Sequence, residues 1–230
     1  MRKLMLNTAI AAALASASFA GQAAESATFT VTGTITPATC DVSLSTSSID
    51  LGNIPASTLT EDTNLKKGED VILSVDCDAA AATAIRTSDN RSSSAMTAEE
   101  VAEQMKMPLE NSNLTGQDIF GLGTDSAQNK VGALAIGINA ATSDGVANGN
   151  LFTSNNRAAW RSAPINANGQ PVSKDEYFGL ASSADATGPS AYTRSTYTIG
   201  SMVLLKKGNL YPAGEAVPID GNITFSVFYI

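Results

Sequence analysis

The sequence predicts an all-β sandwich with one short helix in an insert. Three observations carry that expectation. Apolar and polar residues alternate in six short runs; long connections without a βαβ rhythm separate the runs; and two cysteines fall in phase with the apolar residues of two of them.

The first run follows a targeting segment. Arg2 and Lys3 give a positive start, residues 4–17 are largely apolar, and Ser18-Phe19-Ala20 places small residues before a cut at Gly21. A cut after Ala23 is the second candidate. The apolar stretch is too short for a transmembrane anchor, and no later stretch reaches eighteen apolar residues, so residues 1–20 read as a signal peptide and the mature chain as exported and soluble. Cleavage takes the formal charge from −8 to −10 by removing Arg2 and Lys3.

Residues 28–35 alternate strictly. Ala27, Phe29, Val31, Gly33 and Ile35 share one face and four threonines the other, a β-branched pattern that reads as a strand ended by Pro37. A second strand surrounds 40–44, with Cys40 in phase with Val42 and Leu44. Ile49-Asp50-Leu51 is short and extended before the turn residues Gly52 and Pro55. In 71–77, Cys77 is in phase with Val71, Leu73 and Val75. Export into an oxidising compartment makes Cys40 and Cys77 one disulfide rather than two free thiols, a bridge contributing roughly 4 kcal/mol by chain entropy. Thr97-Ala98-Glu99-Glu100 is a capping box that starts a helix, with Val101 and Met105 on one face and Pro108 barring continuation. Glu99, Glu100 and Glu103 read as solvated helix carboxylates. Strands at 131–139 and 197–205 follow, the latter ending in a turn at Lys206-Lys207-Gly208-Asn209. The last strand, 222–230, puts Ile223, Phe225, Val227 and Tyr229 on one face. Residues 139–195, rich in Ala, Ser, Asn and Gly, hold the only tryptophan. Trp160 there, between Arg157 and Arg161 and ahead of Tyr177 and Phe178, is either a sugar-stacking platform or part of an aromatic cap on the sandwich.

Composition narrows the function. The acidic balance leaves no basic surface for nucleic acid. No histidine is present, which removes the commonest general base and metal ligand, and two cysteines alone build no zinc site. There is no GxSxG elbow. The chain is expected to be no enzyme, with no catalytic residue, cofactor or metal.

In order along the chain, several segments resemble subunits of chaperone–usher pili. Phe29-Thr30-Val31-Thr32-Gly33-Thr34-Ile35 looks like their donor strand. Ala38-Thr39-Cys40-Asp41-Val42 and Val75-Asp76-Cys77 resemble the segments around their two cysteines, Ile49-Asp50-Leu51-Gly52 their next strand, and 131–139 a central pilin strand. Gly214 with the alternation ending at Tyr229 resembles their chaperone-recognition strand. The middle is longer than in a common shaft pilin, and Gly214 stands three places further from the end than usual, as if Val217-Pro218-Ile219 were inserted. Thr87-Ser88-Asp89-Asn90-Arg91, Phe120-Gly121-Leu122-Gly123 and Asp220-Gly221-Asn222-Ile223 resemble a fimbrial-like family of uncharacterised secreted proteins, which points to an atypical or minor subunit.

The resemblance implies an immunoglobulin-like pilin sandwich (37–230) lacking its last strand, preceded by a donor-strand extension (21–36). It implies a periplasmic chaperone that fills the groove beside Ile223, Phe225, Val227 and Tyr229, an outer-membrane usher, neighbouring subunits that donate Ala27, Phe29, Val31, Gly33 and Ile35, and passage through the periplasm to a cell-surface fimbrium. A sugar-binding adhesive subunit with a host glycan as partner, and a self-complemented secreted monomer, are the alternatives.

Overall fold

The computed structural model describes residues 27–109 and 114–230; residues 1–20, read above as a signal peptide, lie outside them. The chain divides into two units between Thr36 and Pro37. In the first, the described residues 27–36 are exposed and belong to no strand. Phe29, Val31 and Ile35 are 88, 79 and 100% exposed. The strand expected at 28–35 therefore forms no ladder: alternation supplies a face, but a strand also needs a partner edge.

The second unit is all-β with one helix. Its strands in chain order are β1 (Cys40–Leu44), β2 (Thr63–Lys67), β3 (Val71–Asp89), β4 (Gly132–Ser143), β5 (Val146–Ala147), β6 (Leu151–Ser154), β7 (Arg161–Ser162), β8 (Gln170–Pro171), β9 (Tyr177–Leu180), β10 (Ala191–Lys206) and β11 (Ile223–Tyr229). The extended triplet at Ile49 takes no strand conformation.

The long strand β3 organises the unit. Its first part pairs with β1 on one side and β10 on the other; β10 pairs onward with β4 and, near its end, with β2. Its second part pairs with β11 and β9, and β9 leads to β6 and β7. One strand thus belongs to both sheets. The register shift between Tyr192 and Arg194 marks the crossing, opposite the alanine run Ala79-Ala80-Ala81-Ala82, whose small side chains let the backbone pass between layers. Odd-numbered residues face the core on both sides of it: Leu73, Val75, Ile85 and Thr87 are all buried. The strand expected to end at Cys77 runs on because pairing, not side-chain hydrophobicity, carries it through the alanines.

The inner faces of β3, β4, β6, β9 and β10 form the main core, with Phe178 edge-on to Tyr197 at 5.2 Å. Cys40 faces Cys77 across the ladder, and the two form the expected disulfide. A second, smaller core lies on the outer face of β4 and β10. There α1 (Ala98–Met105) lays Val101 and Met105 on Ala133, Ala135 and Leu204. The alternation of large and small residues in β4 has this physical reason: Leu134, Ile136 and Ile138 fill the sandwich, while the alanines make room for a helix. The capping box forms as expected, Thr97 accepting from the Glu100 N–H and Glu100 from the Thr97 N–H. Glu100 also pairs with Lys130 at 2.6 Å. Burial pushes the Glu100 pKa up, but the Lys130 and Thr97 hydrogen bonds more than offset this and hold it below the usual carboxylate value.

Candidate functional site: an apolar groove beside the last strand

β1 and β11 meet at the middle of β3, where the Cys40 N–H donates to the Tyr229 hydroxyl at 2.7 Å. From that point they diverge. β1 runs from Cys40 to Leu44 beside Cys77 to Leu73, and β11 runs back from Tyr229 to Ile223 beside Thr83 to Asp89. A groove of about 510 Å³ opens where they part. Its floor is the inner face of β4 and β10, with Leu134, Ile136, Ile199, Val203 and Leu205. Leu51 and Ile54 stand on one side, Ile223 and Phe225 on the other. Apart from Leu44 at the end of β1 and Ile223 and Phe225 in β11, its walls come chiefly from the irregular segments 46–54 and 211–221. Among the described residues β11 is paired on one edge only, with β3.

The residues assigned to this site from sequence divide in two. Ile223 and Phe225 line the groove. Val227 is half-buried against the main core, and Tyr229 is half-exposed, its hydroxyl occupied by Cys40. Leu44, in phase with Cys40, is 39% exposed because it faces the groove and not a covering strand.

The border at 211–222 was missed by the periodicity, having none. It starts at Tyr211, whose hydroxyl donates to the Val131 carbonyl at 2.8 Å and accepts the Lys206 N–H at 3.0 Å. Burial pushes that phenol up to about 12. The Lys206 ammonium lies over the Tyr211 ring at 5.2 Å, and burial holds its pKa below the usual lysine value. The segment then turns at Gly214, with φ +83°, and lays Val217 against the main core.

The three segments grouped in the sequence analysis converge at the far end of this border. The Asp89 carboxylate accepts from the Arg91 N–H (2.8 Å) and the Gly121 N–H (3.0 Å). Arg91 forks onto Asp220 at 2.7 and 3.1 Å, and the Asp220 N–H donates to the Leu122 carbonyl. The Asn90 side chain donates to Asn222 and Thr224. Gly121 is fixed by contact: a Cβ there would lie 2.0 Å from the Arg91 carbonyl oxygen. This junction ties the loops before β4 to the start of β11.

Residues 139–195 supply β6, β7 and β9 of the second sheet, and β8, which pairs with β4. Phe178 is core, and Arg157 lies over the edge-paired rings of Tyr177 and Phe228 at 5.4 and 5.1 Å. The Trp160 indole N–H donates to the Arg157 carbonyl, and its ring packs on Gly188, outside the groove. A polar cleft beside β7 and β8 is lined by charges that are largely paired, Arg86 with Asp175 and Arg161 with Glu176. Among the described residues no group of three or more acidic or cysteine side chains is placed to hold a metal ion.

Residues 29–135 match a family described as a protein of unknown function (DUF1120). The matched stretch runs from within the exposed 27–36 segment through β3 and α1 into β4, and leaves β10 and β11 outside. No curated protein matches the chain.

Proposed function

We propose that this protein is a structural subunit of a surface fimbria, built by strand donation between chains on the chaperone–usher route and supporting adhesion. The observation that carries it is the groove: an apolar floor left uncovered by strands, beside a last strand with one unpaired edge. An unfilled edge of this kind invites aggregation, so the reading includes a periplasmic chaperone that fills it first and an outer-membrane usher that receives the complex. The sandwich is then an immunoglobulin-like pilin domain lacking its final strand. The donor is segment 27–35 of a neighbouring subunit, whose Phe29, Val31 and Ile35 are exposed in the single chain. Main-chain bonds to β11 supply affinity, as in other strand additions, and each of those side chains contributes about 1.5–3 kcal/mol on burial.

The test is deletion of 21–32. The shortened chain should bind chaperone, accept a peptide of sequence 27–35, and fail to extend a polymer, as read by size exclusion and thermal melts. An intact chain that is a stable monomer without chaperone and rejects the peptide would overturn strand donation and leave self-complementation.

A further inference from the structure

One wall of the groove is a piece of its own chain. Segment 211–220 runs along it as a strap: Ala216 and Val217 line the cavity, and Val217 docks on the main core. The strap is held at its ends by the Tyr211 hydroxyl on the Val131 carbonyl and the Asp220 N–H on the Leu122 carbonyl, and along the way by two side-chain contacts. Ser126 donates to Glu215, and Arg91 forks onto Asp220. Pro212 and Pro218 have no amide hydrogen, so the strap is poorly suited to extend the sheet and leaves the free edge of β11 available.

Length decides what must give. The donor segment 27–35 has nine residues and β11 has seven, so at about 3.3 Å per residue the donor overhangs β11 by roughly 7 Å. The Tyr229 end is closed by the hydrogen bond from Cys40. The overhang therefore falls beyond Ile223, where the strap lies. Val217 and Ile219, two of the three residues by which this connection exceeds the pattern it resembles, line the cavity.

We propose that 211–220 is a displaceable place-holder for the incoming strand, latched by Arg91–Asp220, and that releasing it gates strand addition. The proposal rests on the strand-acceptor reading and adds the step that limits its rate. The three convergent segments thereby gain a role: they hold the latch.

The experiment follows a fluorescent 27–35 peptide entering the full-length chain. Val217→Ser should speed entry about tenfold, the cost of undocking one valine. Asp220→Asn should speed it about threefold, the scale of an exposed ion pair. Deleting 217–219 should exceed both. Hydrogen exchange on the unaltered chain provides the readout that needs no variant to fold: on peptide binding, 212–219 should lose protection while β11 gains it. Equal entry rates in all variants, or a strap that stays protected while β11 becomes protected, would overturn the gate and leave strand acceptance standing. A peptide that enters none of them, the shortened strap included, overturns both.

Discussion

β11 and segment 27–35 carry the same pattern and have opposite fates. Both alternate apolar and polar residues; both place a phenylalanine and a valine on one face. In β11, seven residues are laddered to β3 and Ile223, Phe225 and Val227 pack on the core. In 27–35, no ladder forms and the equivalent side chains are exposed. Alternation thus specifies a surface able to bury one face. Whether the face is buried depends on an available edge, and β3 has room for β11.

The sharpest way to test that difference is to put a charge on each face. Val31→Asp should leave the melting of the single chain within about 0.5 kcal/mol, because the site is exposed there. It should nevertheless reduce strand donation by about three orders of magnitude, since a carboxylate would have to be buried unpaired. Phe225→Asp should impair both melting and chaperone capture, because that face is already partly buried. If Val31→Asp joins polymers normally, the two strands are not equivalent in use.

Reduction comes next. Losing the Cys40–Cys77 bridge should cost about 4 kcal/mol of stability by chain entropy. It frees β1, one border of the groove, and should leave the conformation of 27–35 unchanged. Both cysteines reacting with an alkylating agent without reductant would contradict the bridge. Smaller still is Tyr229→Phe, which removes the hydroxyl that accepts from Cys40 and should cost about 1 kcal/mol. It should loosen the closed end of the groove without preventing peptide entry.

The smallest effects belong to the outer face, away from both strands. Thr97→Ala should cost about 1 kcal/mol by uncapping α1 and should not alter donor-peptide binding. Glu100 has a folded pKa held below the usual value, so its contribution is present above its unfolded pKa and lost as pH falls through the folded one. Glu100→Gln should flatten that acid limb of the melting curve.

The start of the helix was legible in the sequence to the residue, because a capping box is a local signal that needs no distant partner; Pro108 set only an upper bound on its end, which falls at Met105. The core faces of β4 and β11 were legible for the same reason: each carries its own period of two. The second half of β3 was not. Ala79 to Ala82 carry no contrast between faces, so the pattern fades although the pairing continues. β6 to β9 were also hidden, being two to four residues long in a polar stretch.

By itself, then, the sequence determined which residues could turn an apolar face inward, which cysteines could pair, and where a helix must begin, since these follow from spacing and side-chain chemistry along a few adjacent residues. The groove was decided only by the tertiary structure. Its floor comes from β4 and β10, its sides from 44–54 and β11, and its latch from segments 129 residues apart at Arg91 and Asp220. Such a site is a property of which edges remain after every available strand has paired, and no local pattern records what is left over.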